Sequence, residues 1–160
     1  MEIERKFKLE VFPALPEQAR LDQWQGYLAV NPEVRIRKTV NHTQGKETYI
    51  LCIKSVGNLV RHEIETPLTK AQFEELSTML DYPLIHKELH AYRLPDGHVL
   101  ECSRVDEGAF AYAEVEFATV EEAESWTPPD FLGREMTYET GFKMRKYWSD
   151  RSLAEKIGMK

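Results

Sequence analysis

The stretch that decides the fold is EIERKFKL, residues 2–9, in a chain of 160 residues. Charged and apolar residues alternate in it with period two, which is typical of a β-strand that buries one face and carries charge on the other. Arg5 is the one charged residue on the apolar side. The charged face either meets water or lines an enclosed polar site, with acids for a metal and lysines for an anion. Its residues are Glu2, Glu4, Lys6 and Lys8.

Composition indicates one soluble globular domain that spans residues 1–160. The chain is 42% hydrophobic and 30% charged, and its net charge of −6 argues against a nucleic-acid partner bound through a basic surface. We expect no signal peptide and no membrane-spanning segment, because no apolar run is long enough. Cys52 and Cys102 lack zinc-ligand spacing, so free thiols in a reducing cytoplasm are expected.

Seven further stretches are predicted to be antiparallel strands, and eight strands are a typical number for a small closed barrel. Residues 69–80 instead repeat apolar residues at helical spacing behind a capping box, and similar helices are expected at residues 119–126 and from about residue 141. The predicted fold is therefore α+β, an eight-stranded antiparallel closed β-barrel with flanking helices. The seven stretches are Trp24–Val30, Val34–Val40, Glu47–Lys54, Leu59–Glu65, His86–Leu94, Val99–Val105 and Ala111–Phe117.

Charged side chains share one face on most of the other predicted strands as well. One such stripe usually faces water, but these consist almost entirely of Glu, Arg and Lys. Paired acids on one face repel each other unless a cation lies between them, and clustered bases repel unless an anion does. The sequence therefore predicts a shared interior that holds a divalent ion and a polyphosphate. The stripes comprise Arg35 and Arg37, Lys54, Arg61 with Glu63 and Glu65, and Glu114 with Glu116.

Several short motifs, ordered along nearly the whole chain, resemble the CYTH superfamily, also called triphosphate tunnel metalloenzymes, and most closely its short bacterial single-domain members. This superfamily includes inorganic and thiamine triphosphatases, class IV adenylyl cyclases and RNA triphosphatases. The resemblance implies an eight-stranded tunnel that binds a triphosphate end-on, with Mg²⁺ or Mn²⁺ held by carboxylates. The motifs are EIERKF at residues 2–7, QGYL at 25–28, VRIR at 34–37, the strand that ends at Lys54, RHEIE at 61–65, LPDG at 94–97 and AEVEF at 113–117.

The resemblance also implies a role for each charged residue of the stripes. The implied metal ligands are Glu2, Glu4, Glu114 and Glu116. The implied catalytic residues are Lys6, Glu63 and Glu65, with a carboxylate that orients the attacking water. The implied phosphate-binding residues are Lys6, Lys8, Arg35, Arg37, Lys54, Arg61, Lys87 and Lys143.

The later strands depart from the family pattern, which leaves that half of the predicted tunnel less charged. Three explanations are open. The substrate is smaller or differently placed, with inorganic triphosphate favoured over a nucleotide; or Arg93 or Arg104 compensates through a β-bulge; or the protein binds a phosphorylated ligand with little turnover. The departures are Leu89, Ser103, Gly141 and Met144, where the family often carries arginine, aspartate, arginine and asparagine.

The intact first strand and VRIR favour a metal-dependent hydrolase that acts on inorganic triphosphate, or less selectively on nucleoside triphosphates. The alternatives are a class IV adenylyl cyclase that forms cyclic AMP from ATP, and a non-catalytic polyphosphate- or nucleotide-binding module. The expected partner is a small-molecule triphosphate, with no nucleic acid and no membrane, and a homodimer is one candidate assembly. The five histidines lie in turns or away from the charged stripes, so we expect no histidine base.

Overall fold

One antiparallel sheet of nine strands forms the body of the computed structural model, which describes residues 1–139 and 143–156, with side chains to residue 150. The strands are β1 (Glu2–Lys8), β2 (Glu17–Val30), β3 (Glu33–Asn41), β4 (Lys46–Lys54), β5 (Val60–Arg61), β6 (Glu63–Pro67), β7 (Ile85–Arg93), β8 (Val99–Val105) and β9 (Phe110–Glu116). Their order across the sheet is β5-β1-β9-β8-β7-β2-β3-β4-β6. The two edge strands, β5 and β6, are neighbours in the sequence, so the chain itself closes the sheet into a nearly complete barrel.

The predicted antiparallel barrel is confirmed, with one difference in the strand count. The predicted strand Leu59–Glu65 is divided into β5 and β6, because His62 leaves the ladder. Ser55 binds both backbone groups of His62: its N–H donates to the His62 carbonyl at 3.0 Å, and its Oγ accepts from the His62 N–H at 3.0 Å. The first half of this stretch therefore pairs with β1 and the second half with β4.

Strand β2 is longer than predicted, because it begins at Glu17 rather than at Trp24. The added half is mostly polar, so no apolar alternation marks it in the sequence. It is held by pairing on both edges, with β3 on one side and β7 on the other. Tertiary pairing thus decides the conformation of a segment whose own pattern does not.

Three helices pack against the sheet: α1 (Lys70–Ser77), α2 (Val120–Ser125) and α3 (Met144–Lys156). The predicted capping box of α1 is present, since Thr69 Oγ1 accepts from the Gln72 N–H at 3.1 Å and the Gln72 side chain accepts from the Thr69 N–H at 2.9 Å. Helix α1 ends three residues before the predicted Leu80. The predicted start of α3 near Gly141 lies outside the described residues. None of the described helices is long and apolar enough to cross a membrane.

Replacement of Thr69 by alanine will lower the free energy of unfolding by about 1 kcal/mol, because it removes the side-chain half of the capping box. Chemical denaturation of the purified protein measures this change. Thr78→Ala is the matched control at the other end of α1, where the hydroxyl donates to the Glu75 carbonyl and caps no N–H group. Equal losses in the two variants would contradict the assigned role of Thr69.

The outer face of β1, β8 and β9 carries the larger apolar core, which α2 covers. Arg5 lies on this outer face, which explains why it breaks the charge alternation of the first strand. Its guanidinium donates to both carboxylate oxygens of Glu135 at 2.7 and 2.8 Å, and to the carbonyls of Ala123 and Trp126 at 2.8 Å. Arg5 therefore joins β1 to α2 and takes no part in the barrel interior. The core residues include Phe7, Leu9, Leu100, Cys102, Val115, Phe117 and Trp126.

A second apolar cluster fills one end of the barrel interior, where α3 packs. Trp148 contacts Tyr27 and Tyr82 edge-on, with ring centroids 5.4 and 4.8 Å apart, and its indole N–H donates to the Pro83 carbonyl at 2.7 Å. The cluster also contains Ile85, Val105, Tyr112 and Met136. Aromatic burial at this end fixes α3 against the barrel.

Candidate active site inside the barrel

The inner face of the barrel encloses a cavity of about 170 Å³ whose wall is almost entirely ionic. It arises from the alternation of the strands, which turns every second residue inward. Five uncharged residues complete the wall: Gln23, Tyr27, Leu89, Tyr112 and Met144. The charged residues are the carboxylates Glu2, Glu4, Glu33, Glu63, Glu65, Glu101, Glu114 and Glu116 and the cations Lys6, Arg35, Arg37, Lys54, Arg61, Lys87 and Lys143.

All of the predicted site residues except Lys8 line this cavity. Lys8 is exposed at the last position of β1 and borders a separate surface depression with Phe110 and Phe131. Lys8 has the same parity as the inward-facing residues of β1. Its cross-strand neighbour Tyr112, however, already forms the cavity wall at this position along the strands, so Lys8 does not reach the cavity. The structure therefore corrects the inclusion of Lys8 among the cavity residues.

The sequence prediction missed two carboxylates and two aromatic hydroxyls of the wall. Glu33 has the same parity as Arg35 and Arg37, and Tyr112 has the same parity as the acids of β9, so the signal for both was present. Glu101 shares its face with Ser103, which was noted only as a departure from the family pattern. Tyr27 lies next to a bulge in β2, where strict alternation stops.

The less charged wall predicted for the later strands is present on β7 and β8. Leu89 is buried in the cavity wall, and its cross-strand partner Ser103 is fully buried. The proposed compensation by Arg93 or Arg104 is wrong, because the β7–β8 pairing runs without a bulge, and both arginines are exposed and neither lines the cavity. Arg104 pairs with Glu88 at 2.7 Å.

Glu4 and Glu114 form a half-buried carboxyl pair on the adjacent strands β1 and β9. Burial and the neighbouring Glu114 hold the pKa of Glu4 well above its usual range. Burial also acts to raise the pKa of Glu114, but the ammonium group of Lys6 and the hydrogen bond from Glu4 outweigh it and lower that pKa. Opposite shifts of the two pKa values are typical of two carboxyl groups that lie in one site.

A second ionic group joins the strands that meet where the barrel closes. Lys54 is buried, and its Nζ lies 2.9 Å from Glu2 and 3.2 Å from Glu63. Arg61 lies 3.6 Å from both Glu2 and Glu33. Burial opposes ionisation of Glu2, but the contact with Lys54 lowers its pKa, while burial and the bond to Glu2 raise the pKa of Glu63. This network connects β1, β3, β4, β5 and β6 at the closure.

Four cations of the wall have no carboxylate within 4.0 Å of their charged nitrogens in the described part of the chain: Arg35, Arg37, Lys87 and Lys143. Arg37, Lys87 and Lys143 instead donate to the Gln25 amide, the Tyr112 hydroxyl and the Gly57 carbonyl, respectively, and Arg35 lies opposite Tyr27 in the β2–β3 ladder. The buried Nε of Arg35 has no hydrogen-bond partner. Burial and the nearby Arg37 lower the pKa of Lys87 to about 7, and burial and Lys6 lower that of Lys143 to about 8. Buried positive charge without an acidic partner is suited to bind an anion.

One contact in the cavity joins two carboxylates for which different roles were predicted, metal binding and catalysis. Glu4 pairs with Glu114, but Glu2 hydrogen-bonds to Glu63, which was assigned to catalysis. Glu63 and Glu65 also approach Cys52, with one ligand atom of each residue within 4.8 Å of the others. The cavity thus offers mostly oxygen ligands, with one thiol at its margin.

By its fold and its cavity, the protein belongs to the class in which an antiparallel barrel encloses an ionic site. No protein-family model matches the chain. It is 34% identical over 148 residues to an inorganic triphosphatase of Nitrosomonas europaea, a match that covers 89% of this chain and 93% of that protein. The crystal structure of the inorganic triphosphatase NE1496 is similar with a TM-score of 0.66 and 27% identity, over 92% of this chain and 94% of that one.

A more distant structure shares the fold alone. It is the putative adenylyl cyclase HpAC1 from Hippeastrum, for which a dominant triphosphatase activity is described, with a TM-score of 0.51, 18% identity and coverage of 78% of this chain and 83% of that one. By its identity to the Nitrosomonas europaea protein over most of both chains, this chain belongs to the inorganic triphosphatase family.

Proposed function

We propose that the protein hydrolyses inorganic triphosphate in the barrel cavity, with Mg²⁺ or Mn²⁺, as a member of the CYTH superfamily. The observation that carries this proposal is the set of cavity-lining cations without acidic partners that faces the cavity-lining carboxylates. Such a wall is complementary to a metal–polyphosphate complex, in which both signs of charge are present. The relationship to an inorganic triphosphatase supports the substrate, and the uncharged Leu89 wall supports a small one.

The carboxylates fit a hard divalent ion, because their ligand atoms are oxygens and the Glu4–Glu114 pair places two carboxyl groups in one site. We assign Glu2, Glu4, Glu114 and Glu116 as the residues that would hold it. A bound divalent ion neutralises charge on the phosphate oxygens and polarises the phosphorus centre.

The cations of the wall bind and orient the phosphate chain in this proposal. Arg35 and Arg37 present guanidinium groups to its oxygens, and Lys6 and Lys87 stabilise the charge that develops on the transferred group. Lys54 and Arg61 exchange carboxylate oxygens for phosphate oxygens, while Lys143 contacts the chain from the start of α3. Glu63 or Glu65 orients a water molecule for in-line attack on a terminal phosphorus, which breaks one phosphoanhydride bond and releases orthophosphate and pyrophosphate.

The proposed setting is the cytoplasm, with a small-molecule triphosphate as the partner. Cys52 and Cys102 are both free and buried, which supports a reducing compartment. Gel filtration with light scattering distinguishes the monomer from the candidate homodimer.

Product analysis tests the proposed reaction against its alternatives. Purified protein is incubated with inorganic triphosphate or with ATP, each with and without Mg²⁺ or Mn²⁺. We expect metal-dependent release of orthophosphate from inorganic triphosphate. Formation of pyrophosphate and cyclic AMP from ATP would establish a cyclase, and binding of either compound without any product would establish a binding module.

The Michaelis constant for inorganic triphosphate will rise with pH above about 7, because Lys87 loses its proton near that value in the free cavity. A bound polyanion favours the charged ammonium form, so deprotonation of the free enzyme weakens binding by up to about tenfold per pH unit above its pKa. Lys87→Met will remove this part of the dependence. Steady-state kinetics of both proteins between pH 6 and pH 9 measure it, and parallel pH profiles would rule out Lys87 as the titrating group.

A further inference from the structure

Gln25 is fully buried on β2 and lies behind the cavity wall rather than in it. Its amide oxygen accepts two hydrogen bonds from Arg37, from Nε at 3.0 Å and from Nη2 at 2.7 Å. Because a guanidinium can only donate, these contacts also fix which end of the amide faces Arg37. One neutral oxygen thus holds the planar fork of Arg37 in a single orientation.

The other end of the same amide continues to the second arginine of the strand. Gln25 Nε2 donates to the hydroxyl of Tyr27 at 3.3 Å, and Tyr27 is the cross-strand partner of Arg35 in the β2–β3 ladder, where the two side chains interact. Burial raises the pKa of Tyr27 to about 12, so its hydroxyl is neutral. The chain Arg37–Gln25–Tyr27–Arg35 therefore connects two cations through two uncharged side chains.

A neutral hydrogen-bond partner leaves the charge of a cation uncompensated, whereas a carboxylate partner would offset it. Lys54 and Arg61 lie against Glu2, which compensates part of their charge before any ligand binds. Arg35 and Arg37 keep their full charge, because an amide and a phenol orient them without neutralising it. Orientation without compensation is what a preorganised anion site requires.

We propose that Gln25 is a positioning residue for the polyphosphate chain, which fixes Arg37 directly and Arg35 through Tyr27 while it leaves both charges available to the ligand. This proposal rests on the function proposed above. Gln25 itself contacts no ligand, so its effect is exerted through the two arginines. The proposed role requires a neutral amide at residue 25, because a carboxylate there would neutralise the charge of Arg37.

Two substitutions at Gln25 separate orientation from charge. Gln25→Met removes the hydrogen bonds at similar volume, and we expect a rise of about 10- to 100-fold in the Michaelis constant for inorganic triphosphate, with a smaller change in kcat. Gln25→Glu keeps the contact with Arg37 but neutralises its charge. We expect a similar rise in the Michaelis constant, together with a weaker dependence of kcat/KM on ionic strength than in the wild type or Gln25→Met.

Tyr27→Phe tests the second link with little disturbance of packing. It removes the hydroxyl between Gln25 and Arg35, and we expect the Michaelis constant to rise several-fold. The matched control is Tyr92→Phe, which removes a hydroxyl from another buried tyrosine, on the outer face, where its contact is with His90 at 3.5 Å. Thermal unfolding of every variant shows which of them are folded.

The outcomes distinguish this proposal from the function on which it rests. A wild-type protein that neither hydrolyses nor binds inorganic triphosphate would overturn both. An active wild type with unchanged Michaelis constants in folded Gln25→Met and Tyr27→Phe would overturn the positioning role alone. Equal ionic-strength dependence of Gln25→Glu and Gln25→Met would overturn the requirement for a neutral partner.

Discussion

Replacement of Glu4 by glutamine will lower the rate of inorganic triphosphate hydrolysis by about 100- to 1,000-fold, at constant Mg²⁺ or Mn²⁺. Glu4 lies in the cavity wall and forms the carboxyl pair with Glu114. Glutamine keeps its shape and can still donate a hydrogen bond to Glu114, but it removes one negative charge from the oxygen ligands. The lost activity therefore reports on the charge of the pair rather than on the fold.

Two measurements support the interpretation of this variant. The free energy of unfolding should stay within about 0.5 kcal/mol of the wild type, because the volume and the hydrogen bond are retained. Glu88→Gln is the matched control, since this glutamate pairs with Arg104 on the outer face. Full metal-dependent activity in Glu4→Gln would remove the carboxyl pair from the catalytic machinery.

The second large effect is expected for Arg35→Met, which will lower kcat/KM for inorganic triphosphate by about 100- to 1,000-fold. Arg35 is buried, carries an unpartnered Nε, and has no carboxylate within 4.0 Å among the described residues. Its loss removes two-pronged donation to the phosphate oxygens. Arg35→Lys keeps the charge without the fork, so we expect an intermediate loss of about tenfold.

Arg35→Met should lose activity without losing thermal stability. A buried charge without a counter-ion destabilises the folded state, so methionine at residue 35 should leave the melting temperature equal to or above that of the wild type. Arg104→Met on the outer face serves as the control and should retain wild-type kinetics. A large fall in melting temperature together with lost activity would indicate a structural role for Arg35 instead.

Much of the fold and cavity could be predicted because alternation along a strand is a local property. In β1 and β9 charged and apolar residues alternate with Arg5 as the one exception, so the sequence alone assigns the two faces. The same rule placed Arg35 and Arg37 inside. The same rule places Glu33 inside as well, but the predicted strand began at Val34 and did not include it.

Other features depend on distant partners and could not be predicted in this way. The polar start of β2 is a strand because β3 and β7 flank it. The break at His62 depends on hydrogen bonds to Ser55, seven residues away. Lys8 lies outside the cavity because its cross-strand neighbour Tyr112 forms the cavity wall at that position. The neutral link through Gln25 is also invisible in the sequence, because nothing in a buried glutamine marks the arginine that it binds.

The break at His62 also limits the free edge of the sheet. An open sheet exposes a row of unpaired N–H and C=O groups along each outer strand, and such rows template pairing with other chains. Here the outer strands are successive segments of one chain, so the exposed edge is reduced to the two short strands on either side of a single residue. A strongly charged cavity is thus enclosed by a sheet that leaves little free edge.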